Sequence, residues 1–193
     1  MLKFILPLVL LPYGALAQSF DLSALPHNFS FQSQSDDGLT TLRFVRRESG
    51  RALFEETTLY TDGTEQVSQI WVNQQSQTTA WTTGESRTLF TPHDCAPSIG
   101  ECLFTWHHPD GTFEMKSVTR LVADVYFSDE YFLDGDEWVF WERDCALYDE
   151  FGFWIDYVRI FNDGESHSGA RVRTEENRLD ELWDICQPPL LTS

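Results

Sequence analysis

Apolar and polar residues alternate with a period of two along much of the chain, which is the spacing of β-strands rather than of helices. Cys102, Phe104 and Trp106 share one face of such a segment, and the segment 121–128 alternates in the same way. The stretch 151–161 is instead apolar on both faces, which is typical of a central strand covered on two sides. The pattern therefore predicts a sheet-based protein with residues 151–161 at the middle of its core.

Short turn motifs recur about every ten residues between these segments. They include Asp36-Asp37-Gly38, Ser49-Gly50, Asp62-Gly63, Gly84-Glu85, Asp110-Gly111, Asp134-Gly135-Asp136 and Asp163-Gly164. Consecutive hairpins of this kind predict an all-β fold in which an antiparallel meander curls into a barrel or half-barrel, because closure removes exposed strand edges. A β-sandwich of two sheets is the alternative.

The period changes to that of a helix only near the C-terminus. Leu179, Leu182, Trp183 and Cys186 follow one another at helical spacing, and Thr174 is placed to cap the first turn. Prolines at positions 188 and 189 then end the segment. We expect a short C-terminal helix that packs on the sheet.

The first 17 residues have the pattern of a secretory signal peptide. A single early positive charge precedes an apolar run that ends in Ala15-Leu16-Ala17, a small-x-small cleavage site. The run is shorter than the roughly 20 residues that a membrane-spanning helix needs. We therefore expect cleavage after Ala17, a single β domain over 18–187, a flexible tail over 188–193, no membrane span, and a periplasmic or secreted protein.

The charge of the chain limits the classes of partner that we expect it to bind. The formal net charge is −18, with 31 acidic against 13 basic side chains. Nucleic acid would be repelled by most of such a surface, so it is not an expected partner. No phosphate-binding loop or dinucleotide fingerprint is present, and we expect no cofactor.

Four cysteines remain after the predicted cleavage, and in an oxidising compartment they are expected to form two disulfides. Three pairings are possible in principle. We favour Cys95 with Cys102, because a turn containing proline and glycine lies between them, which leaves Cys145 to pair with Cys186. The second bridge would fasten the predicted helix to the sheet.

The most unusual segment runs from residue 129 to 156, where aromatic residues lie among many carboxylates. Tryptophan rings beside carboxylates are used to bind sugars, and the candidate ligand-binding residues are Trp138, Trp141 and Trp154. A glycoside hydrolase would also need two carboxyl groups at about 5.5 Å, or about 6.5 to 9.5 Å for inversion. If the protein is an enzyme, Glu142 and Asp156 are the candidate pair, with Glu137 next.

The acidic turn that contains Asp134, Asp136 and Glu137 offers hard oxygens around a glycine and is a weak candidate for Ca²⁺. A solvated hairpin tip is the favoured interpretation, because the motif does not match an EF-hand loop. We therefore predict no resident metal.

Chain length, strand spacing and a tethered terminal helix would suit a calycin-like ligand-binding barrel, although the Gly-x-Trp motif of lipocalins is missing because no tryptophan precedes Trp71. Our leading hypothesis is a non-catalytic exported β domain that binds a small apolar molecule, an envelope component or a protein. The alternatives are a small carbohydrate-active enzyme with a Trp-rich cleft, whose partner would be a glycan, and an envelope subunit without a pocket.

Overall fold

The computed structural model describes residues 25–73, 78–95, 99–149, 153–174 and 176–187, with residues 92–95 described through their backbone alone. The predicted signal peptide and C-terminal tail lie outside this part of the chain. Within it, twelve strands precede one helix. The strands are β1 (Ser30–Ser35), β2 (Gly38–Glu48), β3 (Arg51–Tyr60), β4 (Glu65–Val72), β5 (Thr78–Thr83), β6 (Ser86–Cys95), β7 (Gly100–His108), β8 (Gly111–Val122), β9 (Val125–Asp134), β10 (Glu137–Tyr148), β11 (Trp154–Phe161) and β12 (Ser166–Arg171), and the helix is α1 (Leu179–Cys186).

The strands form a closed antiparallel barrel. Each strand pairs with the next along the chain, and β12 returns to pair with β1, where Ser33 lies opposite Arg171 and Ser35 opposite Gly169. Closure pairs both edges of the meander, so that neither is left to bind another chain. The all-β barrel predicted from the turn spacing is confirmed, together with its short C-terminal helix.

Tight turns join the strands at one end of the barrel. The turn at Gly135 is an example, because its φ of 62° lies in the left-handed region that glycine adopts without a steric penalty. At the other end the β8–β9 turn contains no glycine, and Ala123 takes up a φ of 56° there. The single strand predicted over 121–128 is therefore wrong, since Val122 pairs with Val125 across a hairpin.

Helix α1 packs on the outer face of β10 and β11. Leu182 and Cys186 are fully buried there, and Cys186 forms a disulfide with Cys145 of β10. This bridge is confirmed. The helix begins later than predicted, with Arg178 as the residue that precedes it and no side-chain cap, so the capping role assigned to Thr174 is wrong.

The other predicted disulfide is described in part. Cys102 is fully buried and takes part in a disulfide, and the backbone register of β6 and β7 places it opposite Cys95. The side chain of Cys95 lies outside the described residues. The Cys95–Cys102 bridge therefore stays a prediction.

Strand β11 is covered on both faces, as its apolar sequence predicts. Val158 and Ile160 face outward and pack beneath α1, whereas Tyr157 and Arg159 face the interior of the barrel, and all four are buried. The strand therefore joins an outer core under the helix to the interior of the barrel. No helix within the described ranges is long and apolar enough to cross a membrane.

Candidate functional site

The inner face of the barrel can be identified from two tryptophans on distant strands. Trp106 of β7 and Trp141 of β10 stack with ring centroids 5.4 Å apart and an interplanar angle of 20°. Two further strands separate β7 from β10 in the sheet, and each step between strands is about 4.8 Å. Rings that meet over such a distance must reach across the interior, so the face that carries Trp106 is the inner one.

A β-bulge at Trp141 brings two consecutive side chains to this face. Phe140 pairs with Tyr131 and Glu142 pairs with Glu130, so Trp141 is an extra residue in the ladder. Bulges re-aim side chains in this way. Trp141 and Glu142 are consecutive, yet both contribute to the interior rather than to opposite faces.

Polar residues occupy the inner face of β8, β9, β10 and β11 at matching positions. They lie opposite one another across neighbouring strands, and all are at most 5 % exposed. The set consists of Ser117, Thr119, Ser128, Glu130, Glu142, Asp144 and Arg159. We call Glu130, Glu142 and Asp144 the carboxylate cluster.

Arg159 neutralises one member of the carboxylate cluster directly. Its Nε donates to Oδ1 of Asp144 at 2.6 Å and its Nη2 donates to Oδ2 at 2.6 Å. The same Nε lies 3.5 Å from Oε1 of Glu142, within ion-pair range but without a hydrogen bond. Burial by itself would lower the pKa of Arg159, but Asp144 and Glu142 outweigh it and raise that pKa, so the guanidinium stays charged.

The two glutamates of the carboxylate cluster hold protons more tightly than exposed glutamates do. Burial raises the pKa of Glu130 to about 7, with a further contribution from the charge of Asp144. Burial also raises the pKa of Glu142 well above its usual range, against the opposing effect of Arg159. Like charges placed directly opposite one another repel, so these two carboxyl groups resist being ionised together.

Several polar atoms of the interior lack a hydrogen-bond partner among the described residues. They include both carboxyl oxygens of Glu142, one carboxyl oxygen of Glu56, the hydroxyl of Tyr157, the indole nitrogens of Trp81, Trp106 and Trp154, and Nε and Nη2 of Arg171. Glu142 is 0 % exposed and Tyr157 is 5 % exposed. A buried polar group without a partner costs about 1 to 3 kcal/mol, and such groups are rare in folded proteins unless something binds them.

An aromatic cluster adjoins the carboxylate cluster on the inner face. Its members pack against one another between β5 and β10 and are Trp81, Phe90, Phe104, Trp106, Met115, Phe132 and Trp141. Because Trp141 belongs to this cluster and Glu142 to the other, the bulge is where apolar and acidic surfaces meet. An interior of this kind can contact a ring and a polar group of one small molecule.

A second acidic position lies on the opposite wall. Glu56 of β3 is 1 % exposed and one of its oxygens has no partner among the described residues. Burial raises its pKa to about 7. The neighbouring hydroxyls of Thr40 and Thr58 bind each other at 3.0 Å. In the order of strands around the barrel, β3 lies nearly opposite β10. Buried acidic residues therefore lie on two opposite sides of the interior.

The structure does not bring the proposed catalytic pair together. Glu142 faces the interior, whereas Asp156 pairs with Leu147 and therefore faces outward, toward the helix. There Arg173 binds both oxygens of Asp156 at 2.7 Å, and the backbone nitrogen of Arg178 donates to it at 2.9 Å. Asp156 anchors the segment that leads into α1, and the barrel wall separates it from Glu142.

The three candidate ligand-binding tryptophans also lie apart. Trp138 is on the outer face, where Nζ of Lys116 lies 4.9 Å from its ring. Trp141 is in the aromatic cluster, and Trp154 packs on Tyr157 with centroids 4.7 Å apart near the other end of the barrel. Of the three, Trp141 is the one next to the carboxylate cluster.

The acidic turn between β9 and β10 is a hairpin tip. Asp134, Asp136 and Glu137 are all exposed there. Within the described ranges, no group of three or more His, Cys, Asp or Glu side chains is arranged to hold a metal ion. The tip therefore gives no geometric support to a Ca²⁺ site.

Sequence reasoning missed Glu56, Glu130, Asp144 and Arg159 as interior residues. A signal was present, because Ser128-x-Glu130, Glu142-x-Asp144 and Tyr157-x-Arg159 place polar residues two apart on consecutive strands. Residues two apart share a face, so this repeated spacing indicates one polar stripe across neighbouring strands. Comparisons with protein-family models, curated proteins and solved structures gave no match for this chain.

Proposed function

We propose that this protein is a non-catalytic binding protein that holds a small molecule inside its barrel. The observation that carries the proposal is the set of buried polar atoms without partners on the inner face, above all the carboxylate of Glu142 and the hydroxyl of Tyr157. Burying such groups is costly unless a partner is supplied. A bound molecule with hydrogen-bonding groups would supply it.

The size of the barrel supports the same proposal. Eight strands enclose an interior just wide enough for side chains to fill, and the diameter grows with the number of strands. The twelve strands described here allow a wider interior. Of the three occupants expected from the sequence, a small apolar molecule, an envelope component or a protein, the aromatic cluster beside the carboxylate cluster favours a small molecule, and one with polar groups as well as an apolar body.

Export belongs to the same proposal. The disulfide between Cys145 and Cys186 supports an oxidising compartment, because such bridges persist outside the cytoplasm. We propose a periplasmic or secreted protein from which residues 1–17 are removed. The intact mass of the protein recovered from its source organism tests this, since a retained N-terminal segment would contradict cleavage after Ala17.

Native mass spectrometry of the protein purified from its source tests interior binding. We expect an additional small-molecule mass that is lost on denaturation. Trp141→Leu should lose this mass, whereas Trp138→Leu on the outer face of the same strand should keep it. The absence of any bound mass in the unmutated protein, or equal retention by both variants, would overturn the proposal.

Circular dichroism and the intact Cys145–Cys186 bridge establish that each variant is folded. Tyr157→Phe provides a second interior variant that removes one unpartnered hydroxyl and leaves the ring in place. It should weaken retention of the bound mass while leaving the barrel intact.

A further inference from the structure

Charge in the interior is unbalanced at the carboxylate cluster. Three carboxyl groups share this part of the inner face with one guanidinium, and Arg159 gives two hydrogen bonds to Asp144. Glu142 has an ion-pair contact at 3.5 Å but no hydrogen bond to either oxygen within the described chain. A buried carboxylate in this position is stable only if it takes up a proton or meets a positive charge.

We propose that the molecule bound in the barrel is an organic cation whose positively charged nitrogen binds Glu142, beside Glu130 and against the stacked rings of Trp106 and Trp141. This assignment rests on the proposed function and adds the chemical class of the ligand. The nitrogen would donate to the carboxylate oxygens of Glu142 that have no other hydrogen bond. Its apolar portion would lie in the aromatic cluster.

Two independent features of the site favour a cation. The register places Glu130 directly opposite Glu142, so two acidic groups can share one positive charge. The bulge puts the ring of Trp141 beside Glu142, and tryptophan faces attract cations.

An anionic ligand fits this part of the interior poorly. Arg159 is already engaged by Asp144 through two hydrogen bonds. A second interior guanidinium, that of Arg171, lies near the β10–β11 end of the barrel, where it donates to Asp149 at 2.7 Å and covers the ring of Phe31. The Nε and Nη2 of Arg171 have no hydrogen-bond partner among the described residues. Arg171 lies five residues along β12 from Ser166, the partner of Ile160, which is roughly 16 Å from the level of Glu142. An anion bound at Glu142 would therefore meet negative charge without a nearby unengaged cation to offset it.

A proton competes with the cation for Glu142. The titratable and charged groups that influence Glu142 are Glu130 of β9, Asp144 of β10 and Arg159 of β11. Because the pKa of Glu130 is raised to about 7 and that of Glu142 is raised as well, the cluster carries protons at mildly acidic pH. A cation that displaces such a proton binds more tightly as the pH rises.

Calorimetric titration with three probes of similar shape tests the assignment. The probes are 2-phenylethylamine, the neutral 2-phenylethanol and the anionic 3-phenylpropionate, added to the purified protein after dialysis to remove bound molecules. We expect the amine to bind about tenfold more tightly than either counterpart, which corresponds to about 1.4 kcal/mol. Its affinity should rise between about pH 5.5 and 7.5, by at most about tenfold per pH unit, while that of the alcohol stays constant.

A matched pair of variants locates the cation. Glu142→Gln should weaken amine binding by about tenfold and leave binding of the alcohol unchanged. Glu55→Gln, on the outer face of β3, should leave both unchanged. If Glu142→Gln does not fold, the pH dependence of the unmutated protein still decides the question.

The outcomes separate the two proposals. Equal affinity for the amine and the alcohol overturns the cation assignment and leaves interior binding supported. Failure of all three probes to bind at about 1 mM also overturns the cation assignment. Interior binding itself falls only if native mass spectrometry finds no bound mass.

Discussion

Arg159 and Asp144 form a two-point ion pair in the interior of the barrel, with Nε and Nη2 of the arginine each 2.6 Å from an oxygen of the aspartate. Both side chains are nearly inaccessible to solvent, at 6 % and 7 % exposure. Removing one partner of a buried pair leaves the other as an uncompensated charge, which costs far more than losing the same contact at the surface.

Arg159→Met is expected to lower the free energy of unfolding by about 3 to 5 kcal/mol, because it leaves the carboxylate cluster without its guanidinium. The loss should be larger at pH 8 than at pH 5, since protons replace the missing positive charge at acidic pH. Urea unfolding at both pH values measures it.

The surface pair of Arg43 and Glu55 provides the control for this variant. Its nitrogen and oxygen are also 2.6 Å apart, but Arg43 is 61 % exposed. Arg43→Met should therefore cost at most about 1 kcal/mol. Equal losses for Arg43→Met and Arg159→Met would show that burial of the Arg159 pair has no energetic consequence.

Glu56→Gln is expected to change how stability depends on pH. Burial raises the pKa of Glu56 from 4.5 to about 7, so the folded state binds the proton more tightly than the unfolded state does. The contribution is fully present below about pH 4.5 and is lost as the pH rises through about 7, by roughly 3 kcal/mol. In urea titrations from pH 5 to 8, the variant should show a shallower fall in the free energy of unfolding.

The neighbouring residue is a matched control, because Glu55 and Glu56 lie on opposite faces of β3. Glu55→Gln removes only an exposed ion pair and should leave the slope of stability against pH unchanged. A wild-type protein whose stability rises between pH 5 and 8, with the same slope in Glu56→Gln, would contradict the raised pKa.

The all-β barrel could be predicted from the sequence, but the side chains that face its interior could not. Period-two alternation and glycine turns predict hairpins, and closure follows from the need to cover edges. Whether Asp156 shares a face with Glu142 depends instead on the register of β10 against β11, and a shift of one residue reverses every side chain. The segment between these strands carries no two-residue turn motif that would set that register.

Two local features explain the other differences between the structure and the predictions from sequence. The hairpin at Ala123 was missed because its turn has no glycine, although its φ of 56° is a conformation that glycine favours. The bulge at Trp141 changes the phase of alternation within one strand, so Trp141 and Glu142 cannot be assigned to one face by counting. Both depend on pairing between strands, which local sequence does not specify.

The Cys145–Cys186 disulfide fastens α1 to β10, and its contribution to stability can be predicted. Replacing Cys145 and Cys186 together with alanine should lower the free energy of unfolding by about 4 kcal/mol, given the separation of 41 residues along the chain. Hydrogen exchange of residues 179–186 should accelerate. Ile185→Ala, at an exposed position on the same helix, should change neither by a comparable amount.

Asp156→Asn tests whether Asp156 anchors the segment that leads into α1. Its contacts indicate this role in place of the catalytic role expected from the sequence. The variant weakens the two hydrogen bonds from Arg173 and the one from the backbone of Arg178, so residues 173–186 should exchange faster and stability should fall by about 2 kcal/mol. Asp180→Asn, exposed in the first turn of α1, is the control. Loss of interior binding in Asp156→Asn without any change in helix protection would return this residue to the functional site.

Replacing Gly169 is expected to be destabilising because the ring of Tyr157 lies against it. A Cβ at this position would lie 2.5 Å from Cε1 of that ring and 2.9 Å from its hydroxyl oxygen. Gly169→Ala should therefore cost about 1 to 3 kcal/mol and displace the tyrosine that faces the carboxylate cluster. In a Tyr157→Leu background the same substitution should cost about 1 kcal/mol less, which a double-mutant cycle measures. Additive costs would mean that the glycine is required for a reason other than contact with this ring.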